Sequence, residues 1–180
     1  SRGILKKPLE YQKVEQATMS FGQGFASTPL QIVRAFSVLA GDGHLRPLKL
    51  FKDLNSETEK KGERVLSSQT LARIRKLMES ALSDGGTAMS ARVEGYTVAG
   101  KTGTSQKTIG RKGYAEDSYW SSFVGFFPSD EPKYLIYAAF DNPKGDIHTG
   151  GKTAAPLFAD IAKICLRNDD PLPPTQAPDV

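Results

Sequence analysis

The chain has 180 residues, enough for one domain with a core of its own. Hydrophobic residues make up 38% and charged residues 24%, which excludes a disordered or collagen-like chain. The 24 Lys and Arg against 20 Asp and Glu leave a net charge of +4, scattered among acids, so neither a nucleic-acid binder nor, with no run near the ~18 apolar residues that cross a bilayer, a membrane-spanning chain is indicated.

Residues 1–20 read as a connector. The opening SRGILKKPLEYQ has no apolar stretch of the signal-peptide kind, and Ser1 in place of Met suggests a piece of a longer chain. Thr28-Pro29 opens a helix, with Thr as cap and Pro in the first turn, where its missing N–H costs nothing. That helix, PLQIVRAFSVLA, is apolar on most sides and is expected to be largely buried until Gly41 and Gly43 stop it. His44 to Lys52 reads as a short extended segment, and ETEKKGER (57–64) as a solvated loop of mixed charge. A second helix follows Ser67 or Ser68, with Leu71, Ile74, Leu77, Met78, Ala81 and Leu82 on one stripe. Asp84-Gly85-Gly86 ends it, and a helical turn over 87–91 follows.

From Val93 the period changes. Tyr96–Gln106, Ser121–Phe127 and Tyr134–Phe140 read as strands, the last two joined by PSDEP into an antiparallel hairpin. Ala154–Arg167 reads as a final helix with Leu157, Phe158, Ile161, Ile164 and Cys165 inward. Residues 169–180 form a Pro-rich tail expected to be disordered. Helices, then three strands, then a helix give an α+β fold with an antiparallel sheet.

The densest knot of chemistry is VAGKTGTSQK, Val98 to Lys107. A phosphate loop leads into a helix, and no helical pattern follows here. A decorated edge strand is the plainer reading. On a strand, Thr102 and Thr104 project from one face and Lys101 and Gly103 from the other. Two hydroxyls, free N–H groups and a nearby cation suit a peptide that ends in a carboxylate.

K-T-G is also one of the three signatures of penicillin-binding proteins and class A β-lactamases, and here it stands as KTGT. Upstream, SFGQG and TPLQ lie within Met19–Leu50; GGTA occupies Gly85–Ala88 and GGKTAAPLFADI opens the chain's last helix. In this order the four segments resemble class B penicillin-binding proteins, most of all their division-type branch, penicillin-binding protein 3. The resemblance runs from about Met19 to Ile164. It implies a transpeptidase fold whose five-stranded antiparallel sheet is represented here by three strands with flanking helices. It implies acyl transfer: a serine attacks the D-Ala-D-Ala bond of a peptidoglycan stem peptide, and β-lactams acylate the same serine. By motif, Lys101 and Thr104 are the catalytic candidates, Lys101 for positive potential and proton traffic, the Thr104 N–H as one of two oxyanion donors. Thr102, Gly103, Thr104 and Ser105 form the substrate-binding set, and Tyr114 and Tyr119, in TIGRKGYAEDSYW (Thr108–Trp120), read as a loop between two strands, are candidate cleft-wall residues. No cofactor is implied. The implied partners are stem peptides, β-lactams and other cell-wall and cell-division proteins, at the periplasmic face of the inner membrane.

The other two signatures, S-x-x-K with the nucleophile and S-x-N, are absent from these residues: no Ser has Lys three places on or Asn two places on. Residues 1–168 therefore read as the C-terminal part of a transpeptidase domain, inactive alone and prone to associate with its missing half or with itself. The rival reading is a non-catalytic, penicillin-recognising sensor or scaffold. SFGQG reads as a structural approach to the core, Asn142–Gly151 as a second cleft wall, His148 as a polar surface residue and Cys165 as a buried thiol. His44, His148 and Cys165 have no metal-ligand spacing.

Overall fold

A computed structural model describes residues 2–49, 51, 62–108 and 113–168. Its helices begin where the sequence supplies caps. α1, Lys13–Met19, lies in the segment read as a connector. α2, Pro29–Ala40, starts with a capping box: Thr28 Oγ1 accepts the Gln31 N–H at 3.3 Å, and Gln31 Oε1 accepts the Thr28 N–H at 2.8 Å. β1, His44–Leu45, pairs with β2, Glu63–Arg64. The extended segment is thus shorter than expected, and the last residues of ETEKKGER form its partner strand; residues 57–61 lie outside the described residues. α3, Ser68–Glu79, starts where Ser67 Oγ accepts the Thr70 N–H at 3.1 Å. Turns of 3₁₀ helix at Ser80–Leu82 and Met89–Ala91 lead to the main sheet.

That sheet is antiparallel, in the order β3 (Ala99–Thr108), β4 (Tyr114–Phe127), β5 (Tyr134–Asp141). α4, Ala154–Asn168, closes the described chain. The fold is the α+β arrangement the order of elements implies.

Register decides what each face carries. Gly100, Thr102 and Thr104 stand opposite Gly125, Phe123 and Ser121, so these side chains share one face. α4 covers its inner part: the Phe158 ring meets Phe123 edge-on with centroids 4.9 Å apart, and Phe127 at 6.1 Å. The two 3₁₀ turns contribute Leu82 and Ala91 to this core, and Ala88, which precedes the second, joins them. Phe126 points the other way, where the Arg75 guanidinium of α3 lies 5.8 Å from its ring. Arg75 donates to the terminal carbonyls of α2, Leu39 at 2.7 Å, Ala40 at 3.1 Å and Gly41 at 2.6 Å, and to Asp130 O at 3.1 Å in the β4–β5 turn. One side chain thereby ties two helices to the hairpin and satisfies carbonyls that a helix end leaves open.

Several expectations need correction. α2 is not largely buried: only Val38 is, and Leu30 is 56% exposed. Leu77 (72%) and Ile164 (55%) also face outward, since one sheet face can cover only part of each apolar stripe. β4 begins at Tyr114, seven residues before the apolar run, because its outer half pairs with β3, Tyr114 with Thr108 and Tyr119 with Gln106. The chain 114–120 is therefore strand, not loop; residues 109–112 and the tail 169–180 lie outside the described residues.

Replacing Arg75 with Lys keeps the charge and loses the fork that reaches three carbonyls together. Arg75→Lys should destabilise the chain by about 1.5–3 kcal/mol in urea titration, the range for hydrogen bonds to a charged group; a midpoint within error of wild type would refute the clamp.

Candidate active site

The residues picked out in VAGKTGTSQK lie on β3, the end strand of the main sheet among the described residues. Thr102 is half-buried, and Lys101, Thr104 and Ser105 are exposed. Lys101 and Gly103 do lie on the face opposite the two threonines, and the one register shift between β3 and β4 comes at Gln106/Thr108, beyond the glycine. The Lys101 ammonium bonds to the carbonyl of Thr102 at 2.8 Å. The letters Gly95 to Thr102 fit the phosphate-loop pattern G-x-x-x-x-G-K-T, yet Lys101 and Thr102 sit inside a strand and not at a strand-to-helix turn. No phosphate cradle is formed.

Three other sequence segments meet this strand. From the GGTA turn, the Thr87 hydroxyl lies 3.4 Å from that of Thr102. From the turn before α4, the Gly150 N–H donates to Thr104 Oγ1 at 3.0 Å. From SFGQG, the Gln23 side-chain amide donates to Thr104 O at 3.3 Å. SFGQG lies outside the core, with Phe21 61% exposed and its glutamine docked on the strand.

Glycine makes the approach of the α4 turn possible. A Cβ on Gly150 would stand 2.2 Å from Ser122 O and 2.5 Å from Gly103 O, and one on Gly151 would stand 2.0 Å from Thr87 O. Two main chains touch where side chains are missing. On Gly103, a Cβ would meet Ser122 Oγ at 2.6 Å, so that glycine leaves room for a neighbouring hydroxyl.

Tyr119 pairs with Gln106 and lies on the face of the two threonines. Its ring stacks on His148 at 3.9 Å and 11°. The His148 carbonyl accepts a hydrogen bond from the buried Ser121 hydroxyl. The two segments expected as opposing walls therefore meet each other. Tyr114 pairs with Thr108 in the outer ribbon. Among the described residues no cluster of His, Cys, Asp and Glu is arranged to hold a metal. Gln23, Thr87 and Gly150 were not picked out as site residues from sequence, although each lies in a glycine-bearing motif that was.

The penicillin binding protein transpeptidase domain family matches residues 1–163. The chain belongs to this family. Over 159 residues it is 36% identical to a probable peptidoglycan D,D-transpeptidase PenA of Neisseria flavescens, covering 88% of this chain and 39% of that protein. Over 173 residues it is 42% identical to the stage V sporulation protein D of Bacillus subtilis, covering 91% of this chain and 26% of that protein. Among solved structures, the apo transpeptidase domain of Burkholderia pseudomallei penicillin-binding protein 3 superposes with a TM-score of 0.85 at 37% identity, over 97% of this chain and 52% of that one. A Mycobacterium penicillin-binding protein 3 complexed with ampicillin superposes with a TM-score of 0.81 at 32% identity, over 99% of this chain and 43% of that one. The chain thus spans about half or less of these relatives, and its resemblance is to class B transpeptidase domains.

Gly150 has an ordinary φ, so a Gly150→Ala change tests contact alone. We expect a loss of about 1–3 kcal/mol, typical of forced overpacking, with faster amide exchange at residue 150. Wild-type stability together with wild-type exchange would show that the turn does not rest on β3.

Proposed function

We propose that the chain is part of a peptidoglycan D,D-transpeptidase and supplies the wall of the active site that binds the substrate carboxylate and helps stabilise the oxyanion. The carrying observation is the convergence of SFGQG, GGTA, KTGT and the GGKT turn on Thr102 and Thr104. The homology to named transpeptidases supports the reaction class.

In this reading Thr102 and Thr104 donate their hydroxyl protons to the terminal carboxylate of a D-Ala-D-Ala stem peptide or to that of a β-lactam. The Lys101 ammonium adds positive potential. Gly103 and Ser105 line the strand along which the acyl donor lies, and Tyr119, with Tyr114 beyond it, borders the cleft. The nucleophile comes from residues carrying S-x-x-K and S-x-N, which this sequence does not contain. Its serine oxygen bonds to the scissile carbonyl carbon, and negative charge moves to the carbonyl oxygen. The Thr104 N–H is one donor to that oxygen, and a single such donor is worth about 10²–10³ in rate. Collapse of the adduct breaks the C–N bond, and D-alanine leaves as the protonated amine. An amine from a neighbouring stem then takes the acyl group and releases the serine. The setting is the periplasmic side of the cell membrane, in wall synthesis together with other cell-wall and cell-division proteins.

Residues 1–168 are then the C-terminal part of a domain completed by a second half. Exposed apolar residues support this: Ile4, Leu5, Leu9, Leu30 and Leu77 are all more than half exposed. Beside α2, a depression of about 370 Å³ is lined by Phe36, Leu39, Leu45 and Val65.

The test is labelling with a fluorescent penicillin, followed by denaturing electrophoresis. The full-length protein should retain the label, and the 180-residue chain alone should not. Label held by the isolated chain would overturn the division of labour. A full-length protein that binds penicillin reversibly but is never acylated would favour a sensor.

A further inference from the structure

Gln23 is presented to the strand by a built turn. The turn that carries it is tightly specified. Ser20 Oγ donates to Ala17 O at 2.7 Å at the end of α1, Gly22 N–H to Met19 O at 3.0 Å and Gln23 N–H to Thr18 O at 3.0 Å. Gly22 and Gly24 flank the glutamine at φ 96° and 88°, in the left-handed region where a side chain would strain the backbone. The turn is shaped so that the residue between the glycines can reach across 81 positions of sequence to the Thr104 carbonyl.

Thr104 is thereby held twice. The Gly150 N–H fixes its hydroxyl at 3.0 Å, and the Gln23 amide fixes its carbonyl at 3.3 Å. In a strand, the N–H and C=O of one residue leave on the same side. Fixing the side chain and the carbonyl therefore fixes the direction of the Thr104 N–H. An oxyanion donor acts only when it is aimed before charge develops, and small misplacements are costly.

We infer that Gln23 is a positioning residue for the Thr104 peptide in acyl transfer, acting through its side-chain N–H and not by touching the reacting atoms. This rests on the transpeptidase reading above. Gln is the suitable residue type because its amide both spans the gap and donates. Glu has nearly the same shape, but its carboxylate only accepts at neutral pH.

The experiment uses the full-length transpeptidase and benzylpenicillin, with stopped-flow acylation that separates the dissociation constant of the reversible complex from the acylation rate constant. Gln23→Ala should lower the acylation rate constant about tenfold, less than the loss of a direct oxyanion donor. Its dissociation constant should stay within about twofold, because no carboxylate contact changes. Gln23→Glu should match Gln23→Ala at neutral pH, and its thermal midpoint should be that of wild type. Should Gln23→Ala fold poorly, Gln23→Glu alone decides. Wild-type acylation in either variant, a faster rate, or a loss confined to the dissociation constant would overturn the role. A wild type that is never acylated would sink the transpeptidase reading and this role with it, an outcome distinct from variants that acylate normally.

Discussion

The architecture depends on one contact, the Phe123 ring lying across backbone that has no side chains. A Cβ on Gly100 would stand 2.2 Å from the ring, and one on Gly125 at 2.8 Å. Those two glycines face each other across β3 and β4, and the ring fills the space they leave. Above it Phe158 of α4 meets it edge-on, and both rings are fully buried. The same residue sets where the site falls. Phe123 is the cross-strand partner of Thr102, so the first hydroxyl of the strand comes at the rim of the core. Two residues on, Thr104 is exposed. The step from core to cleft thus takes one pleat of the strand, about 7 Å. A site built this close to a packed aromatic core inherits its rigidity.

Main-chain contact explains why the segments around the strand are rich in glycine. The turn before α4 lies on Gly103 and Ser122 with its backbone, through Gly150, and on Thr87 through Gly151. Gln23 sits between two left-handed glycines. Each segment contributes a polar group, and each needs glycine to bring that group within hydrogen-bonding distance. Arg75 plays the corresponding part on the second face, holding the end of α2 against α3 and the β4–β5 turn. Burial lowers its pKa, with the Asp130 carboxylate opposing, but a guanidinium stays charged in this setting.

Much of this was legible from the residues. Thr28-Pro29 and Ser67 marked helix starts because capping is local chemistry, and PSDEP between two apolar runs marked a hairpin for the same reason. KTGT was legible as a strand with its hydroxyls on one face, since alternation needs no tertiary knowledge. The extent of β4 was not. Its outer half, YAEDSYW, has no continuous apolar run in the sequence to reveal it, and pairing with β3 is a nonlocal fact. Exposure of Leu30, Leu77 and Ile164 was hidden too, because an apolar stripe shows what a helix offers, not how much of it a neighbour covers. The meeting of residues 23, 87 and 150 at one strand was out of reach for the same reason. The motifs were visible, but their convergence is a property of the fold.

That convergence bears on what the strand can bind. A threonine hydroxyl has one proton and two acceptor positions. At Thr104 the Gly150 N–H occupies an acceptor position, so the proton is left to be donated, and among the described residues none takes it. The two hydroxyls of Thr87 and Thr102 face each other at 3.4 Å, a long contact that can satisfy at most one of their two protons. The threonine face of the strand is thus left with hydroxyl protons to donate. Such a face matches a ligand group that only accepts, and a carboxylate is that group at neutral pH. A neutral amide would bring donors of its own and leave some of these protons unmatched. By hydrogen-bond valence, the donors on β3 suit a carboxylate, the group that the proposed function places there.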